Sequence, residues 1–284
     1  MNLLNSTVGE EYILTCGSDR TVKLWSANKQ LLLRTYTGHS DEVADCQAKN
    51  DNSQIASCSR DNSVIIWDVA TAKILRRFRN MAPNTCVCYG HESSVILAGS
   101  TDGTAKIYDL RAASSWEAIQ CLDEASDCIN CIRVYRHSIL TASSDNCMRE
   151  YDIRKGSLNI DRFDASLNFI ELSKNFLYSM VSSLNGIVRM VDRETGQLLS
   201  EYRGHKNASY KTEIALAKND SVIVSGSEDG KIYCWDVVSK DIKQVLKASP
   251  NPMSVVNSVS YSQSKDQLLT ACGKNIKLWN LIES

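Results

Sequence analysis

The sequence predicts an all-β protein, a seven-bladed β-propeller filling all 284 residues as one domain. Three observations carry that prediction. Seven segments close on an aromatic–Asp pair or a near variant: Trp25-Ser26, Trp67-Asp68, Tyr108-Asp109, Tyr151-Asp152, Val191-Asp192, Trp235-Asp236 and Trp279-Asn280. Successive pairs stand 42, 41, 43, 40, 44 and 44 residues apart, the period of a four-stranded propeller blade. Finally, no stretch keeps a helical period, and only 3 prolines interrupt the pattern.

Each element follows from local chemistry. Tight turns are expected at Asp19-Arg20, Asp61-Asn62, Asp102-Gly103, Asp145-Asn146, Asn185-Gly186 and Asp229-Gly230. Asp, Asn and Gly suit such turns because they tolerate positive φ and can bond their own backbone. The seventh segment has Gly273-Lys274-Asn275 instead, a degenerate turn. The sixth blade shows the unit most clearly. Its strands are expected near Tyr210–Ala217, Ser221–Ser227, Lys231–Val237 and Ile242–Lys247, as apolar, β-branched runs bounded by Gly, Asp, Ser and Asn. The blades are expected at about 1–38, 39–80, 81–124, 125–164, 165–203, 204–248 and 249–284. The chain starts at about the first strand of blade 1 and ends with the third strand of blade 7, near Ile276–Leu281. A last blade of three strands, or a truncated sequence, is therefore expected, with ring closure resting on side-chain packing alone.

Bulk composition excludes several classes. With 32 basic and 33 acidic residues, the net charge is -1; a general nucleic-acid binder is usually clearly basic, so no direct nucleic-acid binding is expected. Eleven cysteines lie mostly in the expected strands, without framework spacing, and read as reduced core thiols. No apolar run approaches the roughly 18 residues of a membrane span, and the Met1 region reads as a strand rather than a targeting segment. The Asn-x-Ser/Thr matches at Asn5, Asn207 and Asn219 then carry no glycan expectation. These readings place the chain in the cytoplasm and nucleus, monomeric outside complexes.

Two blades repeat a polar set: His39, Ser57, Asp61 and Trp67 in blade 2, and His205, Ser225, Asp229 and Trp235 in blade 6. Ser precedes Asp by four residues, and Asp precedes Trp by six, in both. The set resembles the structural tetrad of the WD-repeat family. That resemblance implies a hydrogen-bond chain through the Trp N–H, the Ser hydroxyl, the His ring and the Asp carboxylate. A Ser-His-Asp hydrolase is the competing reading, but the set occurs twice and neither serine has a nucleophile-elbow context. No enzymatic activity is expected. Blades 2 and 6 should be the most rigid, and blades 5 and 7 the least.

Other chemistry is thin. Cys128-Ile129-Asn130-Cys131 lacks a second pair or histidines at ligand spacing, so no metal and no cofactor are expected. Arg76-Arg77-Phe78-Arg79 reads as charge on an outer strand, which blunts an exposed edge. Partner recognition is expected instead from loop residues gathered at one face. The candidates are Arg20, Arg60, Lys206, Asn207, Tyr210, Lys211 and Glu228; Tyr and Arg are common hot-spot residues.

Longer stretches carry a narrower resemblance. Leu122-Asp123-Glu124-Ala125, Arg149 to Gly156, Val181-Ser182-Ser183-Leu184, and Gly196 to Asn207 with Tyr210-Lys211 are similar to the mitogen-activated protein kinase organizer 1 group of WD-repeat proteins. The resemblance implies a non-enzymatic scaffold whose partners are kinase-module components, splicing factors, or both. A purely structural spliceosome subunit without a signalling role is the alternative.

Overall fold

The computed structural model describes residues 12–111, 116–251 and 254–280, and the backbone of 2–4. All the described regular structure is β, arranged as the seven sheets of a seven-bladed β-propeller. Blade 1 holds β1 (Asn2–Leu4), β2 (Tyr12–Cys16), β3 (Thr21–Ser26) and β4 (Leu31–Thr37). Blade 2 holds β5 (Val43–Ala48), β6 (Gln54–Ser59), β7 (Ser63–Asp68) and β8 (Ile74–Arg79). Blade 3 holds β9 (Asn84–Tyr89), β10 (Val95–Ser100), β11 (Ala105–Asp109) and β12 (Gln120–Leu122). Blade 4 holds β13 (Ile129–Tyr135), β14 (Ser138–Ser143), β15 (Cys147–Asp152) and β16 (Ser157–Arg162).

Blade 5 holds β17 (Leu167–Leu172), β18 (Tyr178–Ser183), β19 (Ile187–Asp192) and β20 (Leu198–Arg203). Blade 6 holds β21 (Ile214–Ala217), β22 (Val222–Gly226), β23 (Lys231–Asp236) and β24 (Ile242–Lys247). Blade 7 has three strands among the described residues: β25 (Val256–Ser262), β26 (Gln267–Cys272) and β27 (Asn275–Asn280). Leu281, expected to end its third strand, lies outside the described residues, as does Asn5. Within each sheet, every described strand pairs antiparallel with its neighbour in sequence. Contacts divide the chain into two compact units, Asn2–Arg162 with four sheets and Phe163–Ser284 with three.

The core is a series of seams between neighbouring sheets. Successive side chains on a strand face opposite ways, so a middle strand serves two seams. In β6, Ile55 packs with Leu14, Val22 and Tyr36 of blade 1, while Ala56 and Cys58 pack with Val87, Ile96 and Tyr108 of blade 3. This double burial makes the inner strands read as unbroken apolar runs. It also explains the cysteines: Cys46, Cys58, Cys86 and Cys88 are small apolar fillers in these seams, and burial pushes the Cys88 thiol up to about 12. Aromatic pairs reinforce the seams. Tyr36 meets Trp67 edge-on at 5.9 Å, and Phe78 stacks on Tyr108 at 4.4 Å. Such pairs contribute about 0.5–1.5 kcal/mol beyond their burial.

The turns joining second and third strands take left-handed backbone, which Asn and Gly favour and which Arg20 adopts as well. φ is 64° at Arg20, 63° at Asn62, 68° at Asn146, 80° at Gly103, 70° at Gly186 and 75° at Gly230. Gly273 does the same in blade 7, at 59°, so the missing Asp leaves the turn conformation intact.

One boundary differs from expectation by several residues. The first strand of blade 6 starts at Ile214 rather than Tyr210. Residues 207–212 are held out as a loop by side-chain bonds, chiefly to Glu228 and between Asn207 and Thr212.

Candidate protein-interaction surface

Antiparallel order puts the turn between second and third strands at the same end of a sheet as the loop arriving from the previous blade. The turn Asp orders that end. Asp61 Oδ1 accepts the Ser63 N–H at 2.9 Å, and Asp102 and Asp145 accept the equivalent N–H at 3.0 and 3.1 Å. The turn is closed by its own side chain, so the surface it presents is preset.

In blade 2 the four tetrad residues are joined. Trp67 Nε1 donates to Ser57 Oγ at 2.8 Å, Ser57 lies 2.8 Å from His39 Nε2, and His39 Nδ1 lies 3.0 Å from Asp61 Oδ2. Asp61 Oδ2 also accepts the Ser40 N–H at 2.8 Å, tying the incoming loop to the turn. Burial raises the Asp61 carboxyl, but bonds from Ser63 and Ser40 and the nearby His39 outweigh it and hold the group at about 2. Burial lowers His39, with Asp61 partly opposing. A fully satisfied buried network favours one packing over its alternatives.

In blade 6 the expected chain is not formed, and this corrects the reading of His205, Ser225, Asp229 and Trp235 as a second tetrad. Trp235 Nε1 donates to the Arg203 carbonyl at 3.0 Å, and Ser225 Oγ to the Gly226 carbonyl at 2.9 Å. Asp229 Oδ2 accepts the Tyr233 hydroxyl at 3.0 Å and lies 3.3 Å from Lys231 Nζ. Both nitrogens of buried His205 are left without a protein partner. The reason is competition. Tyr233 stands four residues past the turn Asp, where blade 2 has Ile65, and its phenol reaches the carboxylate first.

That same position carries an arrangement the sequence reading missed. Blade 4 has Arg149 there, blade 5 Arg189 and blade 1 Lys23. Arg149 Nη2 bonds Asp145 Oδ2 at 2.6 Å, and its Nη1 donates to Ser143 at 2.8 Å. Burial raises Asp145, but the Arg149 bond outweighs it and holds the carboxyl well below its ordinary range. Arg189 lies 2.7 Å from Asp164 and 3.0 Å from Glu201, and donates to Ser183 at 2.9 Å. Lys23 pairs with Asp19. Blade 5, expected to be among the least rigid, thus has a buried arginine with a network of its own. A signal was present: counted back from the first strand of each blade, Ala125 and Phe163 stand where blade 2 has His39, and in both blades an arginine occupies the Ile65 position. Trp25 and Trp279 keep only the aromatic–hydroxyl bond, to Thr15 at 2.9 Å and Thr270 at 2.8 Å.

The seven loop candidates separate into two groups. Arg20, Arg60, Lys206 and Tyr210 are exposed, Tyr210 at 54 %. Arg60 meets Glu42 at 3.3 Å across open solvent, a contact typically worth under about 1 kcal/mol and easily exchanged for a partner. Lys211 is half-buried. Asn207 and Glu228, by contrast, build the loop. Asn207 is 3 % exposed, donates to Thr212 at 2.7 Å and accepts from Asn168 at 3.1 Å. Glu228 Oε1 accepts three consecutive N–H groups, of Ala208, Ser209 and Tyr210, at 2.8, 2.7 and 2.9 Å. Burial raises its carboxyl, but these bonds outweigh it and lower the group. Such a run of N–H groups is an anion-binding concavity, here filled by the chain's own carboxylate. Buried Asn207 is therefore corrected from a partner contact to a support, and half-buried Glu228 also acts as a support: they hold the backbone that displays Lys206 and Tyr210.

The other motifs also find local roles. Arg77 Nη2 donates to the Gly38 carbonyl at 2.7 Å, and Phe78 between the arginines is buried. Cys131 is buried and Cys128 half-buried, its thiol directed to Asn130.

The family model described as WD domain, G-beta repeat matches residues 6–26, 30–68, 85–109, 196–236 and 241–280, more than half of the chain. The chain is 40 % identical to WD repeat domain-containing protein 83 of Rattus norvegicus over 272 residues, covering 96 % of this chain and 85 % of that protein. Identity to the Homo sapiens protein of that name is also 40 %, over the same shares of both. The Dictyostelium discoideum WD repeat domain-containing protein 83 homolog is 28 % identical over 303 residues, 96 % of this chain and 92 % of that protein. The seven sheets, the tetrad of blade 2 and these matches agree: the chain belongs to the WD-repeat family.

Proposed function

We propose that this protein is a non-enzymatic scaffold that recognises other proteins through the loops at the turn end of its blades. The observation carrying the reading is the Lys206–Lys211 segment, where the exposed Tyr210 and Lys206 ride on backbone pinned by Glu228. A preset loop loses little entropy when it binds, and an aromatic beside a cation suits an interface centre. The likeness to the kinase-organizer group supports mitogen-activated protein kinase modules and the spliceosome as the assemblies served, and with them a cytoplasmic and nuclear distribution. Affinity purification of the tagged chain, with bound proteins identified by mass spectrometry, tests this against Tyr210→Ala/Lys206→Ala and Arg60→Ala baits. Recovery of kinase-module or splicing proteins that the double variant loses supports the reading. Identical partner sets from all baits would place recognition elsewhere.

A further inference from the structure

The unit Asn2–Arg162 carries a second recognition feature at the opposite end of its sheets. A cavity of about 490 Å³ opens between blades 1 and 2. Its blade 1 wall includes Leu14, Leu24 and Leu33, and Ile55 faces them from blade 2. Asn52, in the loop between β5 and β6, also lines it. That loop is at the far end of the sheet from the Asp61 turn, so the cavity is separate from the turn end that carries Arg20 and Arg60.

Besides the Tyr12 phenol, two polar groups interrupt the apolar lining. Asn52 is held at φ 63°, and its side-chain oxygen Oδ1 is buried without a hydrogen-bond donor. Arg34 is exposed at the rim; Asp68 acts on it only electrostatically, with no hydrogen bond between them. A bulge in β4 sets this edge. Leu24 pairs with Arg34 and Trp25 with Leu32, so Leu33 is the extra residue, and bulges re-aim side chains in this way. Blade 2 repeats the bulge, with Ile66 opposite Arg76 and Trp67 opposite Ile74. There the arginine is used internally, since Arg76 Nη1 donates to the Asp109 carbonyl at 3.2 Å. At the first seam the corresponding guanidinium faces an open cavity instead.

An apolar cavity with a few convergent polar groups is the usual form of a binding site. We infer that this seam takes an extended peptide of a protein partner, with a large apolar side chain in the cavity and an adjacent carboxylate on Arg34. The charge at the rim selects an acid, because a guanidinium pairs carboxylates with two parallel hydrogen bonds. The Asn52 oxygen favours a peptide over a fatty acid: it sits in the cavity wall without a donor, and where the side chain turns outward a peptide N–H supplies one, whereas an ionised acyl chain has none. This inference extends the scaffold reading to a second surface and stands without the Lys206–Lys211 loop.

The probe is a fluorescein-labelled peptide set, Ala-Ala-X-Z-Ala-Ala, with X any of the twenty residues and Z Asp or Lys, titrated by anisotropy against the full chain. Leu or Phe at X with Asp at Z should bind, and Lys at Z should weaken binding at least about tenfold. Arg34→Glu should reverse the preference for Z, a gain of binding that misfolding cannot mimic. Tyr210→Ala should leave these affinities unchanged, so failure here is distinguishable from failure of the loop reading. No binding by any member, indifference to Z, or insensitivity to Arg34→Glu would overturn the inference. Direct binding of dodecanoate, read by calorimetry and lost in Arg34→Glu, with no peptide binding, would overturn it in favour of an acyl ligand.

Discussion

Blades 2 and 6 carry His, Ser, Asp and Trp at the same Ser–Asp–Trp spacing, yet only blade 2 joins them. In blade 2, Asp61 meets no donor four residues on, because Ile65 stands there, and His39 at 3.0 Å takes the carboxylate. In blade 6, the Tyr233 hydroxyl takes Asp229 at 3.0 Å, and the imidazole is stranded against the edge of Trp235 at 5.3 Å. The loop anchors differ accordingly. Asp61 itself holds the incoming loop of blade 2 through Ser40, whereas in blade 6 that work moves to Glu228. The lesson is that a buried acceptor binds the nearest competent donor, whatever the surrounding motif. The expectation that blades 2 and 6 share the highest rigidity therefore loses its basis in blade 6.

The largest expected effect separates the two histidines. His39→Phe should cost about 3 kcal/mol in urea unfolding, because it removes the imidazole partner from both Asp61 and Ser57 inside the blade. His205→Phe should be neutral or stabilising by up to about 1 kcal/mol, since it removes two unpaired buried nitrogens. Equal costs would erase the distinction between the blades.

Acid should reveal the same asymmetry. Burial lowers His205 from 6.5 to about 4 in the folded chain, with Asp229 and Glu228 only partly opposing. Below pH 6.5 the unfolded chain takes up a proton that the folded chain refuses. Stability from this group is thus present above pH 6.5 and falls progressively as pH drops toward 4, by up to about 3 kcal/mol. The His205→Phe variant should lose that part of the pH dependence. A profile identical to that of the unmodified protein would show that His205 protonates without penalty.

Rebuilding blade 6 in the image of blade 2 tests the competition directly. Lys231→Ser with Tyr233→Ile should release Asp229 to His205 and raise the imidazole pKa by about one unit, or ~1.4 kcal/mol. Histidine NMR titration reads this; an unmoved His205 would mean that backbone placement, not Tyr233, keeps the pair apart. The smallest effect concerns the loop anchor. Glu228→Ala should cost about 1 kcal/mol and speed amide exchange at Ala208, Ser209 and Tyr210. The Ser40 amide in blade 2 should be unaffected, as its acceptor is Asp61. Unchanged exchange at the three amides would remove Glu228 as the support of the displayed loop.

Much of the architecture was legible because it depends on local or periodic properties. The Asp-Asn, Asp-Gly and Asn-Gly turns marked the left-handed residues, and those residues take positive φ, as Asn62 and Gly186 do. The recurring aromatic pairs marked the third strands, with Trp67 closing β7 and Trp235 closing β23. The candidate surface was less legible. Asn207 and Glu228 look like ordinary polar loop residues in the sequence, and only their contacts across the loop show them to be supports. Arg149 and Arg189 look like solvent-facing strand residues; only the structure shows each buried to 5 % exposure, with Arg149 bonded to the turn residue Asp145 and Arg189 to Ser183, Asp164 and Glu201.

By itself, the sequence determined the number of blades, the strand order and the turn conformations. These follow from hydrophobic period and from the φ preferences of Asp, Asn and Gly, which act within a few residues. The tertiary structure alone decided which polar group each buried carboxylate, imidazole and guanidinium would meet. Hydrogen bonds act over about 3 Å, and residues tens of positions apart in the chain compete within that distance. Whether His39 finds Asp61, or Tyr233 reaches Asp229 before His205, is settled only once the strands are packed side by side.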